Sequence, residues 1–140
     1  MEREQASGAI TKSLWINSAI VSRTMDNTLG ANHGIGMAEY MVLESLMNAP
    51  NHCMRRVDIA EALARTASGI TRMLLPMEKI GLIAKETNER DARVSLVKIT
   101  AAGEEMYQNA TVTLNRRANA LFRRLDDTKA TKLLSLLDAV

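Results

Sequence analysis

Arg90 and Arg93 alternate with Glu89 and Asp91 inside the stretch ETNERDARVSLV (86–97), and Arg65 and Arg72 flank the run TASGIT (66–71). A guanidinium grips a phosphate or the edge of guanine through paired N–H donors, and the hydroxyls of Ser68 and Thr71 can bond either group. Small residues such as Gly69 let a backbone come close to its target. This set of side chains suits a polyanion. Other chemistries find less support. Cys53 follows His52, and His33 is the only other histidine. Zinc needs three or four ligands, and these residues with scattered acids form no recognisable cluster, so no metal or cofactor is expected. A lone thiol becomes reactive beside a base or a helix N-terminus, and Cys53 is read as structural. The chain has no Gly-rich phosphate loop, no paired catalytic carboxylates and no Ser/His/Asp order, so it is not expected to be an enzyme.

The 140 residues fit one domain with a sizeable core, and 46% hydrophobic with 24% charged residues is ordinary for a globular protein. Nine methionines and only 3% aromatics, with many Leu, Ile and Ala, favour helix over strand. No apolar run is long enough to span a membrane, and MEREQASGAI at the start has no apolar signal core, which predicts a cytoplasmic protein. The net charge of +2 says little about partners, but its distribution says more. Residues 1–53 hold three bases and five acids, whereas residues 54–98 hold nine bases and six acids. Positive charge gathers in the middle, as a polyanion-binding unit would place it.

The elements that must position these groups follow from periodicity. Ile10, Leu14, Ile16, Ile20, Val21, Met25 and Leu29 predict a helix over about 10–29. Its apolar stripe is wide, which calls for deep burial or a partner subunit. GANHGIG (30–36) breaks it. A second helix over about 37–47 turns Tyr40, Leu43 and Met47 inward, and NAPNHC (48–53) reads as a turn. A third, about 56–64, has Val57, Ile59, Ala60 and Leu63 as its inner face. Thr66 is placed to cap a fourth, with Ile70, Met73, Leu74 and Met77 inward, Gly81 as its stop and Pro76 bending its axis. Strands over 82–87 and 93–99 form a hairpin whose tip is the charged stretch. Thr100 then caps a long helix to about 125, with Met106, Ala110, Leu114, Ala118, Leu121 and Leu125 along one stripe. A last helix, about 127–139, carries Leu133, Leu134, Leu136 and Leu137.

Two short helices at a tight turn followed by a two-stranded hairpin make a winged helix-turn-helix, whose second helix enters the DNA major groove. Here IAEALARTASGITRMLLPMEKIGL (59–82) and the wing DARVSLVKITAAG (91–103), with its Asp-x-Arg and Thr-x-x-Gly, resemble the core of the MarR family of bacterial transcription regulators. Ala64 and Arg65 stand where that family commonly has Gly and an apolar residue, and Pro76 where it has a polar one.

The resemblance implies a mainly α protein with a winged helix-turn-helix core at 36–99 and a two-stranded β wing. Flanking helices, at 1–35 and 100–140, would build a homodimer interface. It further implies binding to double-stranded operator DNA and transcriptional repression. A symmetric dimer sets its recognition helices ~34 Å apart and asks for a pseudo-palindrome. Arg65, Ser68, Gly69, Thr71 and Arg72 would then contact DNA, as would Arg90 and Arg93 of the wing. Arg93 would enter the minor groove, held by Asp91 two positions earlier on the same strand face, while Arg90 and Asn88 touch phosphates. Trp15 and Tyr40 are candidates to line the pocket of a small aromatic effector. The alternative is a winged helix that binds only protein, which clustered arginines on wing and helix disfavour.

Overall fold

The computed structural model describes residues 1–87, 90–91 and 93–140, and among these six α-helices surround one small antiparallel sheet. Helix α1 (Arg3–His33) is longer than its apolar periodicity predicts and stops where Gly34 turns left-handed, at φ 72°, with its N–H on the Gly30 carbonyl. Helix α2 (Met37–Asn48) begins under a carboxylate from α1. Asp26 Oδ1 accepts the Met37 N–H at 2.8 Å, and Glu39 Oε2 accepts that of Gly36 at 3.1 Å. One 3₁₀ turn (Pro50–His52) follows, with Asn51 and His52 both left-handed.

Strand β1 (Cys53–Arg55) covers the last residue of the expected turn (48–53) and the two after it, where the sequence predicts no strand. Three residues are too few to show alternation, and the strand is defined by its partner. It pairs with β3 (Ser95–Ile99), which also pairs with β2 (Ile83–Thr87), giving the order β1-β3-β2. Val97 and Ile99 face the core with Ile83, while Cys53, Lys98 and Glu86 share the outer face. The wing is therefore the two-stranded hairpin expected, anchored by a third strand at its base.

Helices α3 (Arg56–Ala62) and α4 (Ala67–Lys79) each end in the same hydrogen-bonded pattern. Past α3, Ala64 N–H bonds the Glu61 carbonyl and Arg65 N–H reaches Ala60. Past α4, Gly81 N–H bonds Glu78 and Leu82 N–H reaches Met77. This closure puts one residue in the left-handed region, normally glycine. Gly81 fills it at φ 83°, and Ala64 fills it at φ 52°. The expected inner face of α3 is corrected at Val57, which is 54% exposed. With about 100° per residue, Val57 points away from the side that Ile59, Ala60 and Leu63 share.

Ile59, Ile70, Leu74 and Met77 of this pair meet Val42, Leu43 and Leu46 of α2 and the inner face of the sheet in a single core. Thr100 joins the wing to α5 (Ala101–Leu121). Its Oγ1 accepts the Gly103 N–H at 3.0 Å and donates to the Gly81 carbonyl, and its own N–H bonds Leu82. A Cβ on Gly103 would collide with the Leu82 carbonyl and stand 2.7 Å from Ile99 Cγ1, which is why the Thr-x-x-Gly sequence ends in glycine. Helix α6 (Asp127–Leu137) follows, capped by Asp126, and leaves Leu133, Leu134, Leu136 and Leu137 between 39% and 63% exposed. Among the described residues no helix is long and apolar enough to cross a membrane.

Candidate nucleic-acid interface

The start of α4 is fixed by its own sequence. Thr66 Oγ1 accepts the Gly69 N–H at 3.1 Å and lies 3.4 Å from Ser68 Oγ, so the first turn is capped by hydroxyls. A Cβ on Gly69 would meet Thr66 Oγ1 at 3.0 Å, so glycine gives the cap room to close over the helix. Ile70, Leu74 and Met77 pull the opposite side into the core, which leaves Arg65, Ser68, Thr71 and Arg72 exposed and Gly69 half-buried. Among the described residues the ion pairs are Arg55–Asp58, Arg93–Asp91 and Lys98–Glu86, so Arg65 and Arg72 present uncompensated charge.

At the wing tip, Asp91 holds Arg93 through three hydrogen bonds. Its Oδ1 accepts the Arg93 backbone N–H and Nε–H, both at 3.0 Å, and its Oδ2 accepts Nη2 at 3.2 Å. The guanidinium in turn keeps the Asp91 carboxyl below the usual carboxylate range, chiefly through these side-chain bonds and then through the backbone N–H. Val94 N–H closes the turn on the Asp91 carbonyl. The pairing expected of Asp91 and Arg93 is present, but its geometry is corrected. Strand β3 begins only at Ser95, so the two residues belong to a turn at the tip and do not share a strand face. The Arg93 side chain is 91% exposed, and two of its N–H donors are committed to Asp91. The other three point to solvent. Arg90 is also exposed at the tip, and Asn88 lies outside the described residues.

The chain does not bury Trp15 and Tyr40 together. Trp15 stands 74% exposed on α1, whereas Tyr40 is in the core. Tyr40 stacks on Tyr107 with centroids 5.3 Å apart and bonds Thr111 Oγ1 at 2.7 Å. Tyr107 bonds Glu44 at 3.3 Å, and burial, then Tyr40 and Glu44, push its phenol up to about 12. This α2–α5 link was missed by the sequence reading, where Tyr107 falls beside the apolar stripe. A cleft of about 380 Å³ opens elsewhere, between α1, the start of α2 and the α3–α4 turn, lined in part by Asp26, Met37, Met41, Leu63, Ala64 and Arg65. Cys53 Sγ donates to Glu86 Oε2 at 2.7 Å, and burial followed by that carboxylate pushes the thiol up to about 11. It is a poor nucleophile.

The model of the MarR family matches residues 35–95, which is the span from α2 to the start of β3. Over this winged-helix core the chain is similar to the MarR family. It is 33% identical over 93 residues to the HTH-type transcriptional regulator PrsX of Escherichia coli, an alignment covering 64% of this chain and 55% of PrsX. It thus spans little more than half the length of this curated relative. Among solved structures it is similar to a mutant MarR from E. coli complexed with operator DNA. There the TM-score is 0.83 at 21% identity, over 99% of this chain and 98% of that one. The transcriptional regulator BldR from Sulfolobus solfataricus gives a TM-score of 0.87 at 18% identity, with 100% of both chains covered. The likeness of fold therefore extends over the terminal helices, beyond the matched core.

Proposed function

We propose that this chain is a sequence-specific DNA-binding transcription regulator of the MarR family that acts as a homodimeric repressor and is released by a small-molecule effector. The observation that carries the reading is the conjunction of two sites on one unit. The capped, uncompensated face of α4 presents Ser68, Thr71 and Arg72, and the wing tip presents an arginine already oriented by Asp91. Arg72 can bond guanine through two N–H groups in the major groove, Arg65 and Arg90 can bond phosphates, and Arg93 fits a narrow, negative minor groove. Dimerisation is supported by the exposed apolar side chains of α1 and α6, with Ile10 and Ile16 at 56% and 54% and Leu134 and Leu136 at 63% and 59%. The cleft beside Ala64 and Arg65 is the better candidate for an effector than a pocket between Trp15 and Tyr40, because a ligand there would press on the turn that sets α4.

The test is binding to a duplex selected by the protein from a random pool, measured against salt. Specific binding with log K falling steeply with log salt is expected. Arg72→Ala should lose about 1–3 kcal/mol on the selected site and relax preference at one base position. Equal affinity of the wild type for selected and random duplexes would overturn the reading and favour a winged helix that binds protein.

A further inference from the structure

Helix α4 carries one residue that neither its packing nor its proposed phosphate and guanine contacts explain. Leu75 is 50% exposed. At about 100° per residue, Ser68, Arg72, Leu75 and Lys79 fall within about 60° of one another, on the side opposite Ile70, Leu74 and Met77. Leu75 thus lies on the outward face, one turn beyond Arg72 and about 10 Å along the axis from Ser68. Its neighbours on that face are a hydroxyl and two cations, which suit phosphates and polar base edges. An isobutyl group gains nothing from these. It gains only by covering apolar surface, and the one apolar group on the major-groove edges of the four base pairs is the C5-methyl of thymine.

We propose that Leu75 is a specificity-determining residue that reads a thymine methyl, next to the base that Arg72 contacts. The proposal rests on the reading of α4 as the recognition helix. Arg72 would select through hydrogen bonds and Leu75 through burial, so this part of each half-site would be read by two independent terms.

The test uses the full chain, the duplex it selects from a random pool, and copies of that duplex with each thymine replaced in turn by deoxyuridine, which lacks only the methyl. Fluorescence anisotropy should find one thymine per half-site whose replacement weakens wild-type binding about fourfold, the worth of one buried methyl group. Leu75→Ala should bind the parent duplex more weakly by a similar factor and be indifferent to deoxyuridine at that position alone. Because Leu75 is exposed, the variant should melt with the wild type, and the wild-type deoxyuridine scan needs no variant at all. Leu75→Ala retaining the wild-type response, or a scan in which no replacement weakens the wild type, would overturn the proposal while leaving DNA binding intact. A selection that yields no preferred duplex would instead overturn the reading beneath it.

Discussion

Replacing Asp91 with alanine removes a negative charge from a loop proposed to face DNA, so charge alone predicts tighter binding. The size of that term is small. One charge at about 8 Å from a phosphate in water is worth about 0.5 kcal/mol before screening, about a twofold gain at most. The geometry predicts the opposite sign. Asp91 is the acceptor of three hydrogen bonds from Arg93, and with 91% of the Arg93 side chain exposed no packing replaces them. Freed from Asp91, the arginine would lose its rotamer entropy on docking, a cost of up to about 1.5–2 kcal/mol. The net expectation is binding weaker by up to about fivefold to tenfold for each wing, with Arg93→Ala weaker still. Asp91→Asn should fall between, since an amide oxygen keeps the backbone bond but not the charge-assisted pair. Because Arg93 depresses the Asp91 carboxyl, the hold is intact above the ordinary carboxylate range and is lost only as pH falls through the depressed value. Anisotropy on the selected duplex at low and moderate salt reads the sign directly. Affinity for Asp91→Ala that equals or exceeds the wild type at low salt would refute the reasoning and leave the wing a charged loop.

Ala64→Gly should raise stability by about 0.5–1 kcal/mol, since a left-handed alanine costs about 1–2 kcal/mol and the freer unfolded chain returns part of the gain. Gly81→Ala, at the matching position of α4, should lower it, and thermal melts of the two variants moving in the same direction would contradict this account of the turns. Gly103→Ala forces a methyl against the Leu82 carbonyl and Ile99, and should cost about 3 kcal/mol or more in denaturant unfolding. Cys53, pushed up to about 11, is only about one-thousandth thiolate at pH 8. Alkylation should therefore be far slower than for a free thiol, and Cys53→Ser should respond to peroxide as the wild type does in DNA-binding assays.

Where periodicity was long, the sequence could be read directly. The buried face of α4 is the one its spacing predicts, and Thr66 and Thr100 cap the helices they precede. In α2 Tyr40 and Leu43 are buried as expected but with Val42 and Leu46, while Met47 is only half-buried. The stripe of α5 holds from Met106 to Leu121, but the helix stops before Leu125. Short or tertiary features were not legible. Strand β1 has three residues and exists because β3 offers it an edge. Val57 was misplaced because α3 has only seven residues, so a single apolar position carries little phase information. At the candidate site the residue types could be read directly, and the Asp91–Arg93 partnership followed from the resemblance of the wing to the family signature. The turn that makes the partnership could not be read, since two residues apart on an assumed strand would share a face. Tyr107 was hidden for another reason. Its role depends on Tyr40, 67 positions away, and no local pattern reports a stack across two helices.

Helix α1 raises a question of mass action. Of residues 1–19, all but Ala6 are exposed, so more than half of a 31-residue helix touches almost nothing of its own chain. Most helical stability in proteins comes from packing an apolar face rather than from propensity. If a second copy covers Ile10, Leu14 and Ile16, the order of this segment belongs to the complex, and its folding is linked to association. Circular dichroism at 222 nm should then rise per residue as the protein is concentrated, and the melting temperature should climb with it. Dilution would fray the first turns of α1 before it disturbed Met25 and Leu29, whose burial within the chain does not change with concentration.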